Sequence, residues 1–256
     1  LCLMEDNSTI FGIRTVIEAI QSEKNIDKIY VQKGLSGTLF QELQKVVAKG
    51  NYNISYVPVE KLEKLSRGNH QGVVAKISPV KFQDFETTIN QILENSEKTP
   101  LFLLLDQITD ARNFGAIIRT AECCGVDAII VQNKGGASVN ADTVKTSAGA
   151  VFNIPLCKVN HIKDSIYYLQ SSGVKVVAAT EKTPHTIYET DFTSPTALIL
   201  GNEGKGISDS VLKIADEKAK LPMFGTIGSL NVSVACGAFL YEVVRQRSTL
   251  TPDAGI

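Results

Sequence analysis

Apolar positions divide this chain into two regions of different texture. From residue 101 onward, continuous apolar runs of strand length alternate with stretches whose apolar residues recur every three or four positions. That pattern predicts strands over 101–105, 128–131, 152–156, 174–178, 197–200 and 219–221. Helices are expected over 114–124, 142–148, 162–171, 207–214 and 230–247. Strands that are apolar throughout, separated by helices, imply a parallel sheet covered on both faces. Residues 10–78 alternate on a smaller scale, with helices expected over 12–20, 38–48 and 59–65 and strands over 28–31, 53–57 and 72–77. Ser78-Pro79 breaks the last of these, and residues 81–100 are polar with a weak apolar stripe at Phe82, Phe85, Ile89, Ile92 and Leu93. The expected organisation is α/β: a small domain at 1–78, a linker with one helix at 79–98, and a parallel-sheet domain at 99–256. No internal repeat or low-complexity tract interrupts it.

Two glycine-rich segments leave the carboxyl ends of predicted strands, where open parallel sheets bind ligands. One is Leu200-Gly201-Asn202-Glu203-Gly204-Lys205-Gly206; the other is Leu221-Pro222-Met223 followed by Gly228-Ser229-Leu230-Asn231. Glycines and small polar residues after a strand let backbone amides close around a small ligand. The first segment is no Walker loop, since Gly206 is followed by Ile207, and no dinucleotide fingerprint. Glu203 between glycines can cap the following helix, accept a hydrogen bond from a substrate hydroxyl, or pair with Arg119. Ser229 stands where a helix N-cap is expected, and Asn231 occupies a first-turn position for which an amide has no propensity advantage. In the earlier helix, Ile117, Ile118, Ala121 and Cys124 form the sheet-facing side, and Asn113 is placed to cap it. Arg119 lies opposite beside Gly115, Ala116 and Cys123, either as a solvated residue or with room for a substrate to approach.

Composition narrows the chemistry. A net charge of −1 argues against indiscriminate coating of nucleic acid. Five cysteines, odd in number and without a Cys-x-x-Cys pair, argue against a disulfide framework or structural zinc. The three histidines have no companions at metal-ligand spacing, so no metal is expected. Apolar runs fall far short of a membrane span, a signal segment is not apparent, and a cytoplasmic location is the default expectation, with Met4 a candidate start.

Three segments, Asn113 to Arg119, Leu200 to Gly206 and Leu221 to Ala235, resemble in order the three motifs of the SpoU/TrmH family of RNA ribose 2′-O-methyltransferases, in the SPOUT superfamily. Thr146-Ser147-Ala148-Gly149-Ala150 resembles the family too, and Asn202, Thr226 and Ile227 depart from its pattern. Residues 12–19 and 70–75 are similar to the ribosomal-protein-like substrate-binding domain of the branch that methylates a guanosine ribose in large-subunit (23S) rRNA. The resemblance implies a trefoil-knotted carboxy-terminal domain, S-adenosylmethionine (AdoMet) as methyl donor, RNA as substrate, and a homodimer with the site near the subunit interface. It implies cofactor contacts from Thr180, Leu200, Gly201, Gly206, Leu221 and Leu230. Arg119 would activate or position the ribose, with Asn113, Glu203, Ser229 and Asn231 completing the constellation. Arg14, Lys33, Asn69, His70 and Gln71 are the expected RNA contacts of the amino-terminal domain. A tRNA substrate and a non-catalytic RNA-binding assembly factor are the alternatives.

Overall fold

The structure, a computed structural model, describes residues 9–50, 52–66 and 68–248. Residues 1–8, with the candidate start Met4, and 249–256 lie outside the described residues. The chain forms two compact units, one reaching to Lys81 and including Ser138–Asn140, the other comprising the rest from Phe82.

In the first unit, β1 (Thr9–Phe11), β2 (Ile26–Gln32), β3 (Ile54–Val57) and β4 (Val73–Ile77) form one sheet in the order β1-β4-β2-β3. β4 runs antiparallel to β1 and β2, and β3 runs parallel to β2. Helices α1 (Ile13–Gln21) and α2 (Thr38–Val47) bury Val16, Ile17 and Leu43 against Ile29, Val31, Val73 and Ala75. A third helix, α3 (Val59–Leu65), buries Leu62. Because β4 opposes both β1 and β2, its amino end lies beside their carboxyl ends. The hydrogen bonds from Gly12 N to Val73 O and from Gln32 N to Gly72 O fix that arrangement.

The second unit is a six-stranded sheet in the order β10-β8-β9-β5-β6-β7, parallel throughout. Its strands are β5 (Leu101–Asp106), β6 (Ala128–Gln132), β7 (Leu156–Val159), β8 (Lys175–Ala179), β9 (Thr196–Gly201) and β10 (Glu217–Ala219). Its helices are α4 (Phe85–Asn95), α5 (Ala111–Cys123), α6 (Ala141–Thr146), α7 (Ile162–Ser171), α8 (Asp209–Leu212) and α9 (Val232–Ser248). Alternation along β5 sends Phe102 and Leu104 into a core shared with α4, α7 and α8, and Leu101, Leu103 and Leu105 to the opposite face. All six residues of β5 are buried, as expected of a central parallel strand.

The differences from the sequence-based elements have physical causes. The segment expected as a linker carries α4, capped by Asp84, and its Ile89 is fully buried in the core of the second unit. Of the apolar run at 152–156, exposed Phe152 ends the 3-10 turn Ala150–Phe152 and the strand begins only at Leu156, two residues before Lys158, which breaks the apolar pattern at the sheet edge and lies over the Phe82 ring. At the other edge, β10 begins two residues early because an edge strand tolerates Glu217 and Lys218, and this leaves Leu221 in a loop.

The far end of α9 is clamped. Arg247 donates to the carbonyls of Thr99, Phe192 and Ser194 at 2.7, 2.9 and 3.0 Å, and Gln246 donates to that of Thr190 at 2.9 Å. Arg245 pairs with Glu242, so neither arginine serves the helix's own terminal carbonyls as a dipole argument alone suggests. The clamp sits at the amino ends of β5 and β9, and the helix runs from there toward their carboxyl ends.

Candidate functional site

β5 and β9 are neighbours, yet the chain leaves them toward opposite edges of the sheet, so their carboxyl ends form the crevice where parallel sheets bind ligands. Asp106 and Gly201 face each other across this end. The glycine-rich loop that follows is folded by its own polar atoms. Asn202 and Gly206 exchange backbone hydrogen bonds at 3.1 and 2.7 Å, and Asn202 Oδ1 accepts from Gly204 N at 2.9 Å. Two bonds tie the loop to β5: Asn202 Nδ2 donates to Gln107 O at 3.0 Å, and Ser208 N donates to Asp106 Oδ2 at 2.8 Å. Asn202, notable in sequence only as a departure from the family pattern, is thus the loop's fastener. Gly201 is required for a different reason. A Cβ there would lie 2.2 Å from Gly206 C and Ile207 N, atoms with no rotamer to retreat into.

The loop presents Glu203 to two amides. Asn113 Nδ2 donates to Glu203 Oε1 at 2.8 Å, Asn231 Nδ2 donates to the same oxygen at 2.6 Å, and Asn231 Nδ2 reaches Asn113 Oδ1 at 3.1 Å. The three residues come from α5, the loop after β9 and the start of α9. Two expected caps are corrected by the geometry that brings them together. Asp110, not Asn113, caps α5, accepting from Arg112 N and Asn113 N at 2.9 and 2.8 Å, which releases the Asn113 amide. Asn231, not Ser229, caps α9, accepting from Ser233 N at 2.9 Å while its amide nitrogen turns to Glu203. The polar first turn of α5 hid its start from periodicity; an Asp three residues before an Asn was the available cue.

A cavity of about 510 Å³ opens beside Glu203, within the range of cofactor sites. Thr180, Leu200, Gly201, Gly206, Leu221 and Leu230 all line it, as do Glu203 and Ser229. So do Glu181, Lys182 and Phe239, which sequence reasoning did not single out. Among the described residues, no backbone N–H from Leu221 to Leu230 donates to another backbone group, so the loop's amides remain available to a ligand. Backbone amides, the carboxylates of Glu181 and Glu203, the ammonium of Lys182 and apolar walls together fit a cofactor that joins an adenosine to a charged amino-acid tail.

Arg119 is exposed on α5, outside both the amide–carboxylate group and the cavity lining, and has no hydrogen bond or ion pair among the described residues. Gly115 does not leave substrate room beside it. Gly115 is buried where α5 meets α6, and a Cβ would strike Thr146 Oγ1 at 1.9 Å and Thr143 O at 2.8 Å. Cys124 is half-buried, so the fully buried side chains of α5 are Phe114, Ile117, Ile118 and Ala121. Among the described residues no three His, Cys, Asp or Glu side chains cluster as a metal site, and no helix is long and apolar enough to cross a membrane.

The five expected RNA contacts meet at one end of the first unit's sheet. Arg14 lies in the first turn of α1, Lys33 just past β2, and Asn69, His70 and Gln71 in the turn entering β4. All are exposed except His70, whose Nδ1 accepts from Gly72 N at 3.0 Å.

An all-parallel sheet with glycine-loop cavity and amide-held carboxylate, preceded in the chain by a small α/β unit, is the architecture of a SpoU-type RNA methyltransferase. The chain belongs to the SpoU rRNA Methylase family, whose profile matches residues 100–241; residues 9–83 match the profile for RNA 2′-O ribose methyltransferase substrate binding. It is 36% identical over 242 residues to the 23S rRNA (guanosine-2′-O-)-methyltransferase RlmB of Pseudomonas aeruginosa, covering 94% of this chain and 97% of that one. Its fold resembles the SpoU methyltransferase AviRb of Streptomyces viridochromogenes (TM-score 0.59, 26% identity, 94% and 90% of the two chains). It equally resembles an AdoMet-bound rRNA methyltransferase from Sinorhizobium meliloti (TM-score 0.59, 25% identity, 93% and 86%).

Proposed function

We propose that this chain methylates the ribose 2′-hydroxyl of a guanosine in 23S rRNA, with the cavity beside Glu203 holding AdoMet. The observation that carries the reading is the convergence of Asn113, Glu203 and Asn231 at the cavity's rim, in a chain whose relatives include a 23S rRNA guanosine 2′-O-methyltransferase. When bound, AdoMet supplies an electrophilic methyl group on a sulfonium. The residues must then hold a weakly nucleophilic hydroxyl in line with that carbon and accept its proton. Glu203 fits this role: two amides fix its Oε1, which leaves Oε2 for a hydroxyl. An arginine is permanently charged near neutral pH and serves better to hold a ribose or phosphate than to take a proton.

Arg119 therefore acts from a second copy of the chain. Support comes from α9, where Val234, Ala238, Tyr241 and Arg245 form an exposed stripe, with Val234 56% and Tyr241 58% exposed. Pairing two copies through α9 and the adjacent α5 would cover this stripe and bring Arg119 toward the neighbour's cavity. The knotted path of the chain and the roles of Thr180, Leu200, Gly201, Gly206, Leu221, Leu230 and Ser229 as cofactor and site residues belong to the same reading.

The test is tritium transfer from labelled AdoMet to 23S rRNA that lacks the modification, followed by mapping of the methylated ribose. Arg119→Ala and Glu203→Gln should each abolish transfer while AdoMet binding persists in Arg119→Ala. Mixed subunits of the two inactive variants should recover activity, since one site in the mixed dimer is intact. Incorporation into tRNA instead of 23S rRNA would overturn the substrate, and no recovery on mixing would overturn the action of Arg119 in trans.

A further inference from the structure

Phe11 is an aromatic residue out of place. It ends edge strand β1, where a large apolar side chain has little structural reason to face solvent, yet it is 41% exposed. Its ring is seated on a glycine. A Cβ at Gly68 would lie 2.4 Å from both Phe11 Cε2 and Cζ, so any side chain there would displace the ring. The ring belongs to the end of the sheet that gathers Arg14, Lys33, Asn69, His70 and Gln71.

The backbone at that end is unusual. Gly12, Gly34, Gly37, Gln71 and Gly72 all have positive φ, between 49° and 121°, and Gln71 takes the left-handed region without being glycine. The Gln71 side chain also reaches back over Gly12, its Oε1 3.6 Å from where a Gly12 Cβ would sit. Charge is one-sided. Segments 11–17, 32–38 and 68–74, which build this end, contain Arg14 and Lys33 and no Asp or Glu. Cations complement a phosphate backbone, and an exposed aromatic ring complements an unstacked base; together they form the usual surface for single-stranded RNA.

We propose that Phe11 is a base-stacking platform on which an unpaired nucleotide of the RNA substrate rests, with Gly68 supporting the ring and Arg14 and Lys33 flanking it toward phosphates. The inference deepens the RNA methyltransferase reading and rests on it, by identifying how the first unit recognises single-stranded character in its substrate. Phe11 is a binding residue and does not touch the reacting atoms.

The full chain is tested with unmodified 23S rRNA and AdoMet. Phe11→Ala should raise KM for RNA about 5- to 150-fold, the range that loss of one base–aromatic stack produces. Turnover at saturating RNA and AdoMet affinity should stay within about twofold. Phe11→Leu, which keeps apolar bulk but not the π-face, should resemble Phe11→Ala. Gly68→Ala should also raise KM, because it moves the ring without removing it. The sequence contains no tryptophan, so Phe11→Trp introduces a single reporter. It should retain near wild-type KM, and its fluorescence should be quenched on addition of RNA. If wild-type chain methylates RNA but Phe11→Ala has unchanged KM and Phe11→Trp is not quenched, the stacking platform is overturned and the methyltransferase reading stands. If wild-type chain neither binds nor methylates the RNA, both fall.

Discussion

Substituting Gly201 by alanine tests whether the loop after β9 is the rigid wall of the cofactor cavity. The added Cβ would sit 2.2 Å from Gly206 C and Ile207 N and 2.5 Å from Gly206 O. All three are backbone atoms, so relief requires the strand end and the loop's return to separate by about an ångström. The casualties are the two backbone bonds between Asn202 and Gly206, at 3.1 and 2.7 Å. At about 1 kcal/mol each, their loss disfavours the folded loop by about 2 kcal/mol, or roughly 30-fold in its population. Glu203 and the Gly201 to Gly206 wall move with the loop, so AdoMet affinity measured by isothermal titration calorimetry should fall by about that factor. Gly204→Ala is the internal control. Its Cβ would meet only Asn202 Oδ1, at an ordinary 3.5 Å, and Gly204 has no positive φ. Because both glycines line the cavity, its methyl reports the steric cost at the wall without disturbing the loop, and it should bind AdoMet clearly more tightly than Gly201→Ala. Equal affinity in the two variants would refute the argument that close backbone approach, and not glycine content, makes this loop a site.

Other outcomes follow from the same geometry. Asn231→Asp keeps the acceptor that caps α9 but sets a carboxylate against Glu203, so methyl transfer should fall at least about tenfold while thermal stability changes by less than the roughly 1 kcal/mol worth of a cap; full activity would remove the amide–carboxylate contact from the mechanism. Arg247→Ala leaves the Thr99 and Phe192 carbonyls without their arginine donor, whereas Ser194 and Pro100 also accept from Thr196. A loss of about 2–4 kcal/mol is expected in denaturant melts, and an unchanged midpoint would show that the clamp contributes nothing. Thiol reactivity should be graded: Cys123 is exposed, burial pushes the Cys124 thiol up to about 11, and burial pushes the Cys236 thiol up further. A raised thiol pKa leaves less thiolate at a given pH, so at pH 8 iodoacetamide should label Cys123 first, Cys124 slowly and Cys236 only on unfolding, as read by peptide mass mapping. Faster labelling of Cys124 than of Cys123 would contradict the packing of α5 against α9.

Much of the second unit was legible because central parallel strands have no polar face. The six residues of β5 are buried and read as one apolar run. Legibility failed at the sheet's edges, where β7 and β10 admit Lys158, Glu217 and Lys218 and the apolar run no longer marks the strand. It failed again at helix starts, because a polar first turn looks the same whether a residue caps the helix or is spared from capping to face a ligand. Asn113 and Asp110 are three residues apart and exchange roles on that distinction alone.

The sequence by itself determined the alternation of elements, the family motifs in their order and the residue types at the site, since periodicity and motif spacing are local properties of a chain. Tertiary structure decided which of those residues meet. Asn113 and Asn231 lie 118 positions apart in the chain, and only the packing of α5 beside α9 brings both amides onto one oxygen of Glu203. It also set Phe11 on Gly68 across a sheet edge, a contact between two residues that no local pattern connects. Side-chain contacts of that kind depend on strand register and helix docking, which are fixed by the burial of the whole core and not by any single segment.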